Sequence, residues 1–103
     1  MFKEYDNFDA VGLAQLVRSK QVSPEQLLEE AIVRVEQRDP ALNSVVNRLY
    51  DHGRASIRAG LPDGALSGVP FLLKDLTALC AGAVTTNGSR FFQGNMADHD
   101  TEL

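Results

Sequence analysis

The spacing of apolar and polar residues changes along the chain, and it predicts helices first and strands in between. Apolar side chains recur every three to four residues in two stretches, which predicts helices over about 8–19 and 23–39. A third helix is predicted over about 51–59, closed by a glycine. Short apolar runs at about 44–49 and 69–73 predict strands. This order of elements predicts the α/β fold class.

Local signals mark the helix boundaries. Ser23 followed three residues later by Gln26 forms a capping box, so the second helix is predicted to begin there. Asp6 or Asn7 is expected to cap the first helix. Pro40 is expected to end the second helix just before itself, because the residue preceding a proline disfavours helical backbone. The two helices are predicted to form an antiparallel pair with solvated charged faces.

The last third of the chain has a different character. Residues 77–95 are rich in Gly, Ala, Thr and Asn, and Asn87-Gly88 marks a turn. A loop of this length is typically functional or covered by other structure. Residues 97–103 look like the first turn of a helix. The chain is therefore expected to be one segment, 1–103, of a longer domain, with no second domain of its own.

Composition and charge exclude several classes of function. The chain has 103 residues, of which 44% are hydrophobic and 23% are charged, as in one ordinary globular domain. A formal net charge of -4 without a basic patch argues against nucleic acid as a partner. The longest uncharged stretch is broken by glycines and cannot span a bilayer. The amino terminus lacks a signal-peptide pattern, so a cytoplasmic location is expected.

Lys74 is the strongest chemical candidate, because it directly follows the apolar run 68–73. Lysine is almost never fully buried unless it is paired or used, and ligand sites of α/β proteins lie at the carboxyl ends of strands. Burial would favour a neutral amine that can act as a base. The structural alternative is a lysine whose ammonium reaches the surface past an apolar stem. A base in a serine hydrolase, a Schiff-base lysine and a phosphate ligand all fit, and composition does not choose among them.

The other reactive side chains have simpler explanations. Adjacent residues point in different directions, so Asp98, His99 and Asp100 are expected to cap a helix and not to bind a metal. Cys80 has no neighbouring base or cation, which indicates an inert thiol. Ser89 follows a turn, and turn chemistry accounts for it. No metal site is predicted.

The run Leu66–Asp75, LSGVPFLLKD, resembles the first sequence block of the amidase signature family. The order of the other blocks agrees: two amino-terminal helices precede it, Thr86-x-Gly88-Ser89 follows it, and an acidic residue then opens a helix. The resemblance covers essentially the whole chain. Within the family, residues 71–77 and 97–100 are most similar to amidases of the 6-aminohexanoate cyclic-dimer hydrolase type.

This resemblance implies an amide (C–N) bond hydrolase with a larger mixed sheet, of which this chain would hold the amino-terminal helices and first strands. Family members use a Ser–cis-Ser–Lys triad, so Lys74 would be the triad lysine. Asp75, Gly88 and Ser89 match family positions that are expected to shape or support the loop. No cofactor is implied, and the substrate of the complete enzyme would be a small-molecule amide.

Both serines of the triad are expected beyond Leu103, so the isolated chain is expected to be inactive and to need its carboxyl-terminal remainder. Exposed apolar edges would favour homo-oligomers of the isolated piece. Two competing interpretations are a non-catalytic assembly module and a segment similar to the amidase-like subunits of amidotransferases.

Overall fold

The computed structural model describes residues 2–76 and 78–101. The chain divides into two compact units, Met1–Pro70 and Phe71–Leu103. The first unit contains a 3₁₀-helix at Lys3–Asn7 and three α-helices, α1 (Ala10–Arg18), α2 (Pro24–Leu42) and α3 (Tyr50–Ala59). The second unit contains a short 3₁₀-helix at Arg90–Phe92.

The N-cap of α1 is Asp9, so the expectation of Asp6 or Asn7 was wrong. The Asp9 carboxylate accepts the Gly12 N–H at 2.7 Å and satisfies one backbone donor of the first turn. Asp6 instead pairs with Arg34, a residue of α2. An ion pair that is distant in sequence therefore takes the carboxylate that local spacing assigned to the cap.

The capping box of α2 is confirmed. The Ser23 hydroxyl accepts the Gln26 N–H at 3.1 Å, and Gln26 Oε1 accepts the Ser23 N–H at 2.9 Å. Pro24 occupies the first helical position, where its missing N–H costs no hydrogen bond. These reciprocal bonds fix the start of the longest helix.

The end of α2 differs from the prediction, because the helix continues through Pro40. The proline removes one helical hydrogen bond close to the end of the helix. The Asp39 carboxylate organises the exit by accepting the N–H groups of Ser44 at 2.7 Å and Val45 at 3.0 Å. Asn43 then adopts a left-handed conformation with φ of 53°, which is common just past a helix.

Helix α3 packs against α2 at a glycine. A Cβ at Gly53 would lie 3.3 Å from Cδ2 of Leu28, a tight contact, so glycine makes this close approach easier. Next to this contact, Arg54 forms two parallel bonds to Glu29, at 2.6 Å and 2.9 Å. The resulting pair of helices joins an apolar contact to a bidentate ion pair.

The core of the first unit is small. Leu13 of α1 is buried with Val22 and with Leu27 of α2, which is fully buried. Partly buried side chains around them are Phe2, Tyr5, Leu16, Val17 and Val69. Gly68 has φ of 87°, and a Cβ there would lie 2.9 Å from Cγ1 of Val17. Glycine therefore lets the segment leading to residue 70 pass over α1.

The strands predicted at about 44–49 and 69–73 are not found, and residues 2–76 and 78–101 contain no β-strand. A strand is stable only when its backbone groups pair with a neighbouring strand, and the described part of this chain offers no ladder to join. The chain is therefore helical, and the mixed sheet stays a prediction. Residues 97–101 are not helical either, while Glu102 and Leu103 lie outside the described residues.

Large apolar side chains are exposed in the second unit. Phe71 and Leu72 are 71% and 70% exposed, and Phe91 is 87% exposed. Among the described residues, no helix is long and apolar enough to cross a membrane.

Substitution of Ser23 by alanine tests the capping box. The Ser23→Ala variant loses one side of the reciprocal pair and is expected to be less stable by about 1 kcal/mol. Thermal unfolding followed by circular dichroism measures the change. Ser56→Ala is the control, because that hydroxyl donates to the His52 carbonyl within α3 and caps no helix. Equal stability of the Ser23→Ala variant and the parent chain would contradict the role of the box.

Asp39→Asn tests the carboxylate that ends α2. The N–H of Val45, followed by the N–H and hydroxyl of Ser44, holds the pKa of Asp39 below its usual value. Its stabilising effect is thus present above the unfolded pKa of about 3.9 and is lost as the pH falls through the lower folded pKa. Urea unfolding should show Asp39→Asn to be less stable at pH 7, with the difference shrinking in acid.

The charge-matched control for Asp39→Asn is Asp51→Asn, because the Asp51 side chain is almost fully exposed. An equal loss of stability in both variants at pH 7 would mean that net charge, and not the bonds to the α2 exit, is responsible.

Candidate active site

The candidate residues Lys74, Asp75, Gly88 and Ser89 all lie in the second unit. The Lys74 side chain is exposed, as are the three apolar residues that precede it. The burial expected for Lys74 is therefore absent in this chain, because the apolar run that carries it is itself uncovered.

Asp75, in contrast, is partly buried and its carboxylate is occupied. Its Oδ1 accepts the Thr86 N–H at 2.7 Å, and the Thr86 hydroxyl donates to Oδ2. The same Thr86 oxygen accepts the Gly88 N–H at 3.3 Å. The Thr86 hydroxyl and N–H hold the pKa of Asp75 below its usual value, with further help from the N–H groups of Gly88 and Asn87. The carboxylate is therefore ionised at neutral pH.

A tight turn follows Thr86. The Ser89 N–H donates to the Thr86 carbonyl at 2.9 Å. Asn87 and Gly88 between them have φ of 51° and 70°, a left-handed conformation that favours glycine and asparagine. The Ser89 hydroxyl accepts the Phe91 N–H at 3.2 Å and caps the 3₁₀-helix. In this geometry Gly88 permits the turn and Ser89 ends it.

Backbone pairing closes the rest of the loop. Val84 and Met96 form an antiparallel bridge, and the Thr85 N–H donates to the Asn95 carbonyl at 2.9 Å. The side-chain amide of Asn95 returns a bond to the Thr85 carbonyl at 3.2 Å. Hydrogen bonds within the loop thus join its two sides.

The acidic residues near the end have separate partners. His99 Nδ1 lies 2.6 Å from Asp98 Oδ1, whereas the Asp100 carboxylate accepts the Ala81 N–H at 2.7 Å. Burial, with a contribution from the Asp100 charge, raises the pKa of the Cys80 thiol, so it is not a thiolate at neutral pH. Within 2–76 and 78–101, no group of His, Cys, Asp or Glu side chains could hold a metal ion.

Sequence reasoning did not give Thr86 a role of its own, although its block was noted. The available signal was its place at the first position of the Asn87-Gly88 turn, where hydroxyl side chains commonly bond to the backbone ahead. The partner that matters, Asp75, lies 11 residues earlier and has no local mark.

Comparison with protein-family models gives no match. Among characterised proteins, the chain is 38% identical over 94 residues to the 6-aminohexanoate-cyclic-dimer hydrolase of Pseudomonas sp. (strain NK87), an alignment that covers 89% of this chain and 19% of that protein. It is 32% identical over 99 residues to one of the subunits of the glutamyl-tRNA(Gln) amidotransferase of Halorhodospira halophila (strain DSM 244 / SL1), covering 88% of this chain and 20% of the relative.

Solved structures that match this chain also belong to amide-hydrolysing enzymes. A structure of 6-aminohexanoate cyclic dimer hydrolase matches with a TM-score of 0.81 and 36% identity, covering 90% of this chain and 19% of that one, and a structure of the same enzyme complexed with substrate matches equally. A bacterial aryl acylamidase of the amidase signature family matches with a TM-score of 0.75 and 39% identity, covering 88% of this chain and 20% of that one.

The chain thus spans about a fifth of the length of the relatives it matches. The resemblance to the amidase signature family is confirmed: over about nine tenths of its length, the chain is a homologue of the amino-terminal part of these enzymes.

Gly88→Ala tests the turn after Thr86. A Cβ at Gly88 meets nothing within 4 Å, so any loss comes from the left-handed backbone, at a cost of about 1–2 kcal/mol. Hydrogen exchange of the Ser89 amide should become faster, because that amide closes the turn. Gly64→Ala is the control, since Gly64 has equally open space and no left-handed φ. Unchanged exchange in Gly88→Ala would show that the turn does not depend on glycine.

Proposed function

We propose that the complete protein containing this chain is an amide (C–N) bond hydrolase and that Lys74 is its catalytic lysine. The observation that carries the proposal is the shared homology to a cyclic-dimer hydrolase and an aryl acylamidase in both sequence and structure. Lys74 lies in the block LSGVPFLLKD by which the chain resembles the amidase signature family.

In the proposed mechanism, Lys74 works through two serines that the remainder of the complete protein contributes. The neutral amine accepts a proton from a bridging serine in a cis peptide. That serine takes its proton from the nucleophilic serine, which attacks the amide carbonyl. Backbone N–H groups stabilise the oxyanion, and the proton passes to the leaving amine. The chemistry uses side chains and backbone alone.

The exposure of Lys74 fits a division of the site between this chain and its remainder. Side chains of the preceding run are as much as 71% exposed, so a covering layer would bury the run and Lys74 together. Loss of water around the amine disfavours its charged form and makes it available as a base. The chain alone, without cover and without the two serines, is therefore proposed to be inactive.

The proposed substrate is a small-molecule amide. A cyclic amide is the first class to test, because the similarity to a cyclic-dimer hydrolase holds in sequence and in structure, including a structure that contains substrate. The pocket that would select the amide is proposed to come mainly from the remainder.

A second candidate function is that of an amidotransferase component, which the similarity to the glutamyl-tRNA(Gln) amidotransferase favours. Both candidates would use Lys74 as the base. They differ in the fate of the nitrogen: a hydrolase releases the ammonia or amine to solvent and needs no other protein, whereas an amidotransferase passes the ammonia to a second acceptor. Release of ammonia or amine by the purified protein alone supports the hydrolase, whereas activity that appears only with partner proteins and glutamyl-tRNA supports the amidotransferase.

Substitution of Lys74 in the complete protein tests the catalytic assignment. Lys74→Ala should lower kcat for amide hydrolysis by at least about 10²–10⁴-fold, the usual contribution of a general base. Lys74→Arg should be equally inactive, since a guanidinium stays charged and cannot accept the proton. Hydrolysis rates and circular dichroism of the folded variants are the measurements.

The control for Lys74→Ala is Lys3→Ala, which removes an exposed lysine from the 3₁₀-helix of the first unit. If Lys74→Ala hydrolyses the amide at nearly the parent rate, the catalytic assignment is wrong and a non-catalytic role for this chain becomes the better hypothesis.

A further inference from the structure

The residue next to Lys74 has a firmly anchored side chain. Asp75 is joined to Lys74 by one peptide bond, and its carboxylate receives two bonds from Thr86. Whatever holds Asp75 therefore also restricts the backbone from which the Lys74 side chain begins. The Lys74 side chain itself is exposed, so its placement depends on that backbone.

The anchor depends on a hydroxyl that donates and accepts at the same time. Thr86 Oγ1 donates to Asp75 Oδ2 and accepts the Gly88 N–H at 3.3 Å. The branched side chain of threonine restricts rotation about χ1, so the hydroxyl is held in this position. The three residues thus form a chain of hydrogen bonds from the Gly88 N–H through the Thr86 hydroxyl to the Asp75 carboxylate.

We propose that Thr86 is a positioning residue for Lys74, acting through the hydrogen bonds by which it holds the Asp75 carboxylate. This inference rests on the proposed role of Lys74 as the base. Thr86 touches neither substrate nor the reacting atoms. Its effect is geometric: it keeps the backbone at Lys74 in one place when the rest of the complete protein closes over the site. Small displacements of a catalytic group are costly, about 10²-fold for a shift near 1 Å.

Three substitutions in the complete protein separate this role from general stability. Thr86→Val keeps the shape and removes the hydroxyl, so kcat should fall by about 10- to 100-fold while KM changes by less than about twofold. Thr86→Ser keeps the donor and acceptor and should retain kcat within about threefold. Asp75→Asn removes the charge that strengthens both bonds from Thr86, so kcat should fall, by no more than in Thr86→Val.

Thr101→Val is the matched control in the same unit. Thr101 Oγ1 also accepts and donates, since it accepts the Leu79 N–H at 3.3 Å and donates to the Leu79 carbonyl at 3.5 Å. Both of these bonds go to Leu79. Their loss should leave kcat unchanged, whereas an equal fall of kcat in Thr86→Val and Thr101→Val would reduce Thr86 to a structural role and overturn the proposal.

A double variant shows whether Thr86 acts through Lys74. If it does, Thr86→Val combined with Lys74→Ala is no slower than Lys74→Ala alone, because the group being positioned is already gone. A further fall in the double variant overturns the proposal. If Thr86→Val fails to fold, the Asp75→Asn variant carries the same comparison.

The two proposals fail separately in this design. An active Lys74→Ala variant overturns the proposed role of Lys74 as the base, and with it the positioning role. An inactive Lys74→Ala variant together with parental kcat in Thr86→Val and Asp75→Asn overturns only the positioning role and leaves Lys74 as the base.

Discussion

The bond between the Asp75 carboxylate and Thr86 is the interaction on which the second unit depends. A charged acceptor strengthens the hydrogen bonds it receives, and here one carboxylate receives both the N–H and the hydroxyl of the same residue. Removing either partner would leave a partly buried polar group without its bond. Because the turn at Asn87 and Gly88 starts from Thr86, this contact also holds the residue at which that turn begins.

The first unit, unlike the second, is held together by contacts between helices. Its helices are held by caps, by ion pairs between helices, and by a small apolar core around Leu27. Burying a Leu or Phe side chain contributes about 1.5–3 kcal/mol, and Phe71 and Leu72 in the second unit have not been buried. Burial of the apolar run next to Lys74 under other structure would therefore be favourable by several kcal/mol, at about 1.5–3 kcal/mol for each large side chain. This is the physical basis for expecting the rest of the site to assemble on that run.

Sequence reasoning succeeded where structure is set by residues close together in the chain. The Ser23–Gln26 box is of this kind, since both partners lie within one turn. It failed where a distant partner decides. Asp6 was expected to cap α1, yet it pairs with Arg34, which lies 28 residues away. The strands failed for the same reason, because an extended run becomes a strand only when another strand pairs with it.

The residues of the candidate site show the same contrast between local signals and distant partners. Lys74 was reached through a block of consecutive residues, which a sequence displays directly. The role of Thr86 depends on the Asp75 carboxylate, which lies 11 residues earlier. Only the three-dimensional structure shows that the two residues are in contact.

A catalytic base needs both accurate placement and removal of water. The first requirement can be met by a few local contacts, and the second needs a larger covering structure. Placement can come from a few short hydrogen bonds, and the Asp75–Thr86 pair supplies such bonds within one loop. Removal of water needs many apolar contacts, which a single loop rich in small and polar residues cannot provide on its own. A segment that fixes the backbone at Lys74 while leaving its side chain in solvent is therefore what physical chemistry expects of one part of a divided site. In the proposed site, placement of Lys74 would come from this loop, and removal of water would come from the rest of the complete protein.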